Sequence, residues 1–145
     1  MGTLSQFEKN MSKLGKNVER NAEKLVRVVA KSVIETVTRA TPVDTGQAVS
    51  NWQVRVDQDA TNVIPAYYPG SLRSTAGANI WAAIEAGYSV ISRYNGNNKR
   101  IHITNNVPYI GELNDGSSRQ APASFVQLSV LSAVSEIRSF RILGR

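Results

Sequence analysis

Few residues in this chain have the type and spacing to do chemistry. Val43-Asp44-Thr45-Gly46 contains the Asp-Thr-Gly core of aspartic proteases, and Ile142-Leu143-Gly144-Arg145 matches the second signature of their dimeric retroviral forms. Such enzymes hold two carboxylates around one shared proton, which a homodimer supplies by symmetry. The setting argues against that chemistry. The protease Asp follows an apolar strand in a nearly all-β chain, whereas Asp44 follows a long helical stretch and Pro42. No residues follow Gly144-Arg145 in this sequence to complete the helix that the signature opens. The reading that suits the setting is structural: Asp44 or Thr45 bonds nearby backbone N–H groups and fixes a corner. With no Cys and one His, the chain has no thiolate nucleophile, Cys-based metal site or His pair. Neither GxxxxGK[ST] nor GxGxxG occurs. The acidic pairs Asp57/Asp59 and Glu112/Asp115 lack the glycine of a calcium loop. No cofactor is expected. His102 reads as a surface residue.

The elements that would position these residues fit in 145 residues, enough for one domain with one core. Seventeen basic against eleven acidic residues give a net charge of +6 and a pI near 9.9, a surface suited to nucleic acid or to acidic protein faces. No apolar run reaches the roughly 18 residues of a membrane span, and the N-terminus lacks a secretory signal pattern, so a soluble protein made in a cytoplasm is expected.

Leu4, Phe7, Met11, Leu14 and Val18, continued by Ala22, Leu25, Val29 and Val33, predict an amphipathic helix through the first forty residues. Thr3 with Gln6 offers a capping box, and Pro42 ends the helix near Ala40. A helix of ~36 residues is ~54 Å long, more than the ~30–35 Å across a compact domain of this size. Its first half therefore either covers a sheet or projects toward a neighbouring subunit. Lys9, Lys13, Lys16 and Arg20 share roughly one of its faces, which reads as a solvated face or as a contact for DNA or an acidic partner.

Thr41 to Gly46 predict a turn, with Gly46 free to take positive φ. Trp52, Val54 and Val56 alternate with polar residues as a half-buried strand. Residues 57–77 form a long loop with a Tyr67-Tyr68 pair, and Asn62 to Tyr67 offers a possible extra strand. A second helix runs from Ala78 to Ser92 behind Ser74 or Thr75 as cap. Its expected inner face is Ile80, Ile84, Tyr88 and Ile91, widened by Trp81. Residues 100–104 give a second strand with Ile101 and Ile103 inward; Pro108 opens a short helical turn that Gly116 closes. Ser124 with Gln127 offers a capping box for a last helix, Phe125 to Phe140, with Val126, Val130, Ala133, Val134 and Ile137 inward. The expected class is α+β: a small antiparallel sheet packed by a long N-terminal, a middle and a C-terminal helix.

Two segments together carry a family resemblance: Thr-Pro-Val-Asp-Thr-Gly-Gln-Ala-Val-Ser-Asn-Trp at 41–52, behind a long helix, and Asn-Val-Pro-Tyr to Gln-Ala-Pro-Ala-Ser-Phe-Val at 106–126, before the last helix. The chain resembles the tail-completion or neck proteins of tailed bacteriophages. Ser124 departs from the pattern, which often has Gly there. The resemblance implies a non-enzymatic virion part: a hexameric or other ring between head connector or portal-adaptor proteins and the tail terminator or tail tube, with double-stranded DNA passing through and no membrane. A tail-terminator or head-closure ring protein, or a basic nucleic-acid-binding protein, is the alternative. Phe7, Met11, Leu14, Tyr67, Tyr68, Arg73, Arg119 and Gln120 are the expected interface residues. Pro42, Asp44, Thr45, Gly46, Trp52, Pro108, Tyr109 and Pro122 are expected to be determinants of the fold.

Overall fold

The computed structural model describes residues 4–97 and 99–136. The elements are α1 (Leu4–Ala40), α2 (Gln47–Ser50), β1 (Gln53–Val56), α3 (Ala76–Ser92), β2 (Ile101–Thr104), α4 (Ile110–Asn114) and α5 (Phe125–Glu136). This is the expected α+β class. The possible caps Thr3 and the terminal Ile142–Arg145 signature lie outside the described residues, as do Ile137 and Phe140.

The helix α1 ends at Ala40, two residues before Pro42, whose ring disfavours helical geometry at Thr41. Its two halves differ. Ile34 and Val37 in the second half are almost fully buried, with Ala30 and Thr38 beside them. Between Gln6 and Arg20 every described side chain except Val18 is exposed. The first half is thus an arm that projects from the body. At 37 residues the whole helix spans ~55 Å.

The strands β1 and β2 pair antiparallel, with Val54 opposite Ile103 and Arg55 opposite His102. One face of this thin sheet is apolar. Val54 and Trp52 join Ala30, Ile34, Val37 and Ile91 in the core, with Ile101, Ile103 and Tyr88 packed against it. Gly87 lets α3 approach closely, since a Cβ there would stand 2.9 Å from Ile34 Cγ1 and 3.1 Å from Val54 Cγ2. The polar face is strapped by the loop after β1. Asp57 exchanges hydrogen bonds with Arg100, its N–H reaching Arg100 O at 2.7 Å while its carboxylate accepts Arg100 N–H at 2.8 Å. His102 meets Asp59 at 2.8 Å, and Gln53 and Arg55 both bond Asn62. His102 is therefore a fastener of this strap.

Several expectations need correction. Asn62 to Tyr67 adds no strand; the Asn51 amide instead takes both backbone groups of Ile64, at 2.8 Å each. One-turn α2 was not anticipated, because four residues give no periodicity to read. Trp81 is 64% exposed and does not widen the inner face of α3, which is built from Asn79, Ala83, Ile84, Gly87 and Ile91. The inner face of α5 is Phe125, Ser129 and Ala133, while Val130 and Val134 are exposed. Ser124 does not act as the side-chain cap of α5. It sits at φ 62°, the left-handed region where Gly is favoured. The cap comes from the Asn114 side chain, whose Oδ1 accepts Val126 N–H at 3.0 Å and whose Nδ2 donates to Gln127 Oε1 at 3.0 Å.

Candidate functional site

The hook at 41–46 is the polar centre of the molecule. Thr41 opens it: its hydroxyl donates to Val37 O at 2.7 Å and accepts the Trp52 indole N–H at 2.7 Å. One side chain thereby satisfies both a carbonyl at the end of α1 and the buried indole, which would otherwise be desolvated without a partner. Val43 is clasped from across the chain by Gln120, which accepts its N–H and donates to its carbonyl, both at 2.9 Å. Arg73 bonds the same Gln120 oxygen.

Of the two residues expected to bond nearby backbone N–H groups, Thr45 does so at Gln47, whereas Asp44 reaches across to the 57–75 loop. The Asp44 carboxylate accepts Leu72 N–H at 2.8 Å, and its carbonyl accepts Arg73 N–H at 3.2 Å. Thr45 accepts Gln47 N–H through its hydroxyl at 3.3 Å and Gly70 N–H through its carbonyl at 3.2 Å. Gly46 takes φ 92°, and a Cβ there would lie 2.2 Å from Asn79 Nδ2. Glycine is thus required twice, by conformation and by space.

Asn79 and Asn51, both fully buried, complete the centre. Asn79 Oδ1 accepts the Ser50 hydroxyl at 3.0 Å and Tyr68 N–H at 2.9 Å. Its amide donates to Tyr68 O at 2.8 Å and to Thr75 O at 2.9 Å. It pins the 57–75 loop as Asn51 does at Ile64. Neither residue was singled out from the sequence. Asn79 reads there as an ordinary first-turn residue of a helix; the one available signal was an Asn where the apolar period wants a core residue.

A cleft of about 370 Å³ lies between the hook and the 109–120 segment, lined by Asp44, Gln47, Tyr109, Leu113 and Gln120 among others. Tyr109 bonds Gln47 at 3.2 Å. Burial, then the nearby Asp44 charge, pushes its phenol up from the usual value. Burial likewise raises Tyr67. Among the described residues no group of three or more His, Asp or Glu converges on a metal-sized site, and no helix is long and apolar enough to cross a membrane.

The structure separates the sequence-predicted residues into two sets. Pro42, Asp44, Thr45, Gly46, Trp52 and Tyr109 gather at the hook, joined by Arg73 and Gln120, which had been expected at an interface. Gln120 and Arg73 hold the fold together through the clasp just described. Pro108, Pro122 and Arg119 are exposed in the segments flanking the cleft. Met11 and Leu14, each about half exposed, stand on the arm far from the hook; Phe7 lies on the same helix, with its side chain outside the described residues. Tyr67 and Tyr68 project 42% and 54% of their surface from the pinned loop.

The model of the HK97-gp10-like family, whose description reads "Bacteriophage HK97-gp10, putative tail-component", matches residues 5–116. No curated protein and no solved structure matches the chain. The family match runs from the start of α1 through the hook, the strapped sheet and α4, which is most of the sequence, and leaves α5 outside. The chain therefore belongs to the HK97-gp10-like family of bacteriophage tail components.

Proposed function

We propose that this chain is a structural subunit of the head–tail interface, a neck or tail-completion protein that forms a ring. The ring joins the head connector to the tail tube or its terminator, and double-stranded DNA passes through it without sequence-specific binding. The observation that carries this reading is the arm. A helix that continues well past its own core, with Met11 and Leu14 exposed, has no use within one copy and is built to reach another. A second unpartnered surface supports it: a groove of about 340 Å³ lined by Leu25, Val26, Val29, Val33, Ile101 and Ile103 along the body half of α1. In this reading the chain transforms no substrate, which is supported by the structural use of Asp44, the one carboxylate with a catalytic-looking motif, in holding Leu72. The net charge of +6 serves contacts with acidic neighbours, since a strongly basic lumen would bind phosphates and hinder DNA passage.

The test is genetic and structural. Phage lacking the gene should accumulate filled heads and separate tails, and the supplied protein should join them. A reconstruction of the particle should place it as a ring in the neck. Virions that lack the protein, substrate turnover that depends on Asp44, or a ring with Lys9, Lys13 and Lys16 lining the DNA channel would each count against this account. Salt-sensitive DNA binding by the isolated chain without particle association would favour a nucleic-acid-binding protein instead.

A further inference from the structure

The turn between α3 and β2 carries a reactive pair that the fold does not tie down. Asn95-Gly96 is the one Asn-Gly pair in the sequence. Asn95 is exposed, and neither its side chain nor the Gly96 N–H makes a hydrogen bond among the described residues. Other asparagines are committed. The side chains of Asn51, Asn62, Asn79, Asn105, Asn106 and Asn114 all bond neighbours. Asn10, Asn17 and Asn21 lie within α1, whose hydrogen-bonded backbone holds the following nitrogen in place. Asn97 is followed by Asn98, which carries a Cβ where Gly96 has none. Asp115-Gly116 is the comparable acidic pair, and there the glycine N–H is bound to Leu113 O at 3.2 Å.

In an Asn-Gly pair the glycine nitrogen attacks the side-chain carbonyl carbon of the asparagine. Glycine lacks the Cβ that obstructs this approach in other residues. The bond from Gly96 N to Asn95 Cγ forms and the Cγ–Nδ2 bond breaks. The proton of the Gly96 N–H leaves with Nδ2 as ammonia. Water then opens the resulting succinimide at either of its two carbonyls, giving an aspartyl or an isoaspartyl linkage. In sum, one amide and one water become one carboxylic acid and one ammonia, and solvent water is the only co-reactant.

We propose that Asn95 is a site of spontaneous deamidation, and that the reaction loosens this turn from the root of the α1 arm. Three bonds now hold the turn. Arg27 donates to Tyr94 O at 2.8 Å, the Tyr94 hydroxyl to Lys99 O at 2.9 Å, and Lys99 N–H to Gly96 O at 3.0 Å. Glu23 of α1 lies against Gly96, where a Cβ would stand 2.6 Å from its Oε1, and Glu19 lines the same hollow. Deamidation adds a carboxylate beside these two, and like charges repel. The isoaspartyl form also routes the backbone through the former Cβ. The chain before Gly96 is then one atom longer, which breaks the geometry of the closing bonds. The proposal stands independently of the ring reading above.

The test uses the intact chain, incubated in warm, mildly alkaline buffer and mapped by peptide mass spectrometry, with fresh protein digested alongside. Conversion at Asn95, in aspartyl and isoaspartyl forms, should run at least about tenfold faster than at any other asparagine, equivalent to ~1.4 kcal/mol in barrier. Asn95→Gln, whose longer side chain disfavours the ring closure, should show no conversion at that position. Gly96 is left in place because its φ of 80° would strain a replacement. Trypsin, with Arg93, Lys99 and Arg100 available, should cut this turn faster in aged than in fresh wild-type protein. Aged Asn95→Gln should be cut at the fresh rate. Conversion at Asn95 no faster than at the other asparagines would overturn the site. Equal cleavage of fresh protein and of aged protein converted at Asn95 would overturn the loosening.

Discussion

Asn79 offers the sharpest check on how this molecule is held together. It is fully buried and joins α2, the 57–75 loop and the start of α3 through Ser50, Tyr68 and Thr75. In Asn79→Ala the Thr75 carbonyl keeps its helical partner, the N–H of residue 79 at 3.1 Å. The Ser50 hydroxyl, itself fully buried, loses its acceptor and keeps only the Tyr67 N–H it accepts at 3.2 Å, while both backbone groups of Tyr68 lose their partners. At about 1 kcal/mol net for each bond, and more for a buried group left unsatisfied, the expected loss is about 3 kcal/mol. With an m-value near 2 kcal/mol/M, that lowers the urea midpoint by roughly 1.5 M. Ser50→Ala combined with Asn79→Ala should lose less than the two losses added together, by about 1 kcal/mol. The same variant should release the loop, so limited proteolysis should cut between 66 and 73 much faster than in wild type. A midpoint shift under about 0.3 M together with unchanged cleavage would refute the hub.

Three further outcomes follow from other parts of the fold. Tyr88 donates to Glu35 at 2.7 Å, and its pKa is pushed up to about 12, first by burial and then by the Glu35 hydrogen bond and charge. Its folded value lies above the ordinary 10.0, so its contribution is whole below pH 10 and is lost as pH rises toward 12. The difference in stability between wild type and Tyr88→Phe should shrink across that window in denaturation curves. Gly46→Ala must accept a left-handed backbone and displace Asn79, at a cost on the order of 3 kcal/mol, read as a lowered melting temperature. Ser124→Gly removes the Cβ penalty at φ 62° and should raise stability by about 1 kcal/mol, since the cap belongs to Asn114 and not to Ser124.

What could be read from the residues, and what could not, has a consistent physical basis. Pro42 marks the end of α1 because a proline restricts its predecessor wherever it sits. The alternation around Val54 and Ile103 marks the two strands because a two-stranded sheet with one covered face must alternate. The Asp-Thr-Gly corner was legible as a corner, since Gly46 and the Thr45 bond to Gln47 N–H are local; the reach of Asp44 to Leu72 was not. The inner face of α5 was not, because a helix with apolar residues on all sides carries no direction in its periodicity. The Ser124-x-x-Gln127 pattern pointed to a cap, but the 117–124 segment imposes a left-handed turn there and brings Asn114 into the capping position. Gln120 on Val43 and Asn79 on Tyr68 were hidden because the first spans 77 positions and both end on backbone atoms, which have no residue type to signal them.

The single unbroken run of α1 has a mechanical consequence. No loop separates the arm from the residues that organise the core, so a pull on the arm travels along one hydrogen-bonded rod to Ile34 and Val37. A conduit assembled from such rods would resist stretching as a frame of struts does, each member braced inside its own body rather than hung from a flexible tether.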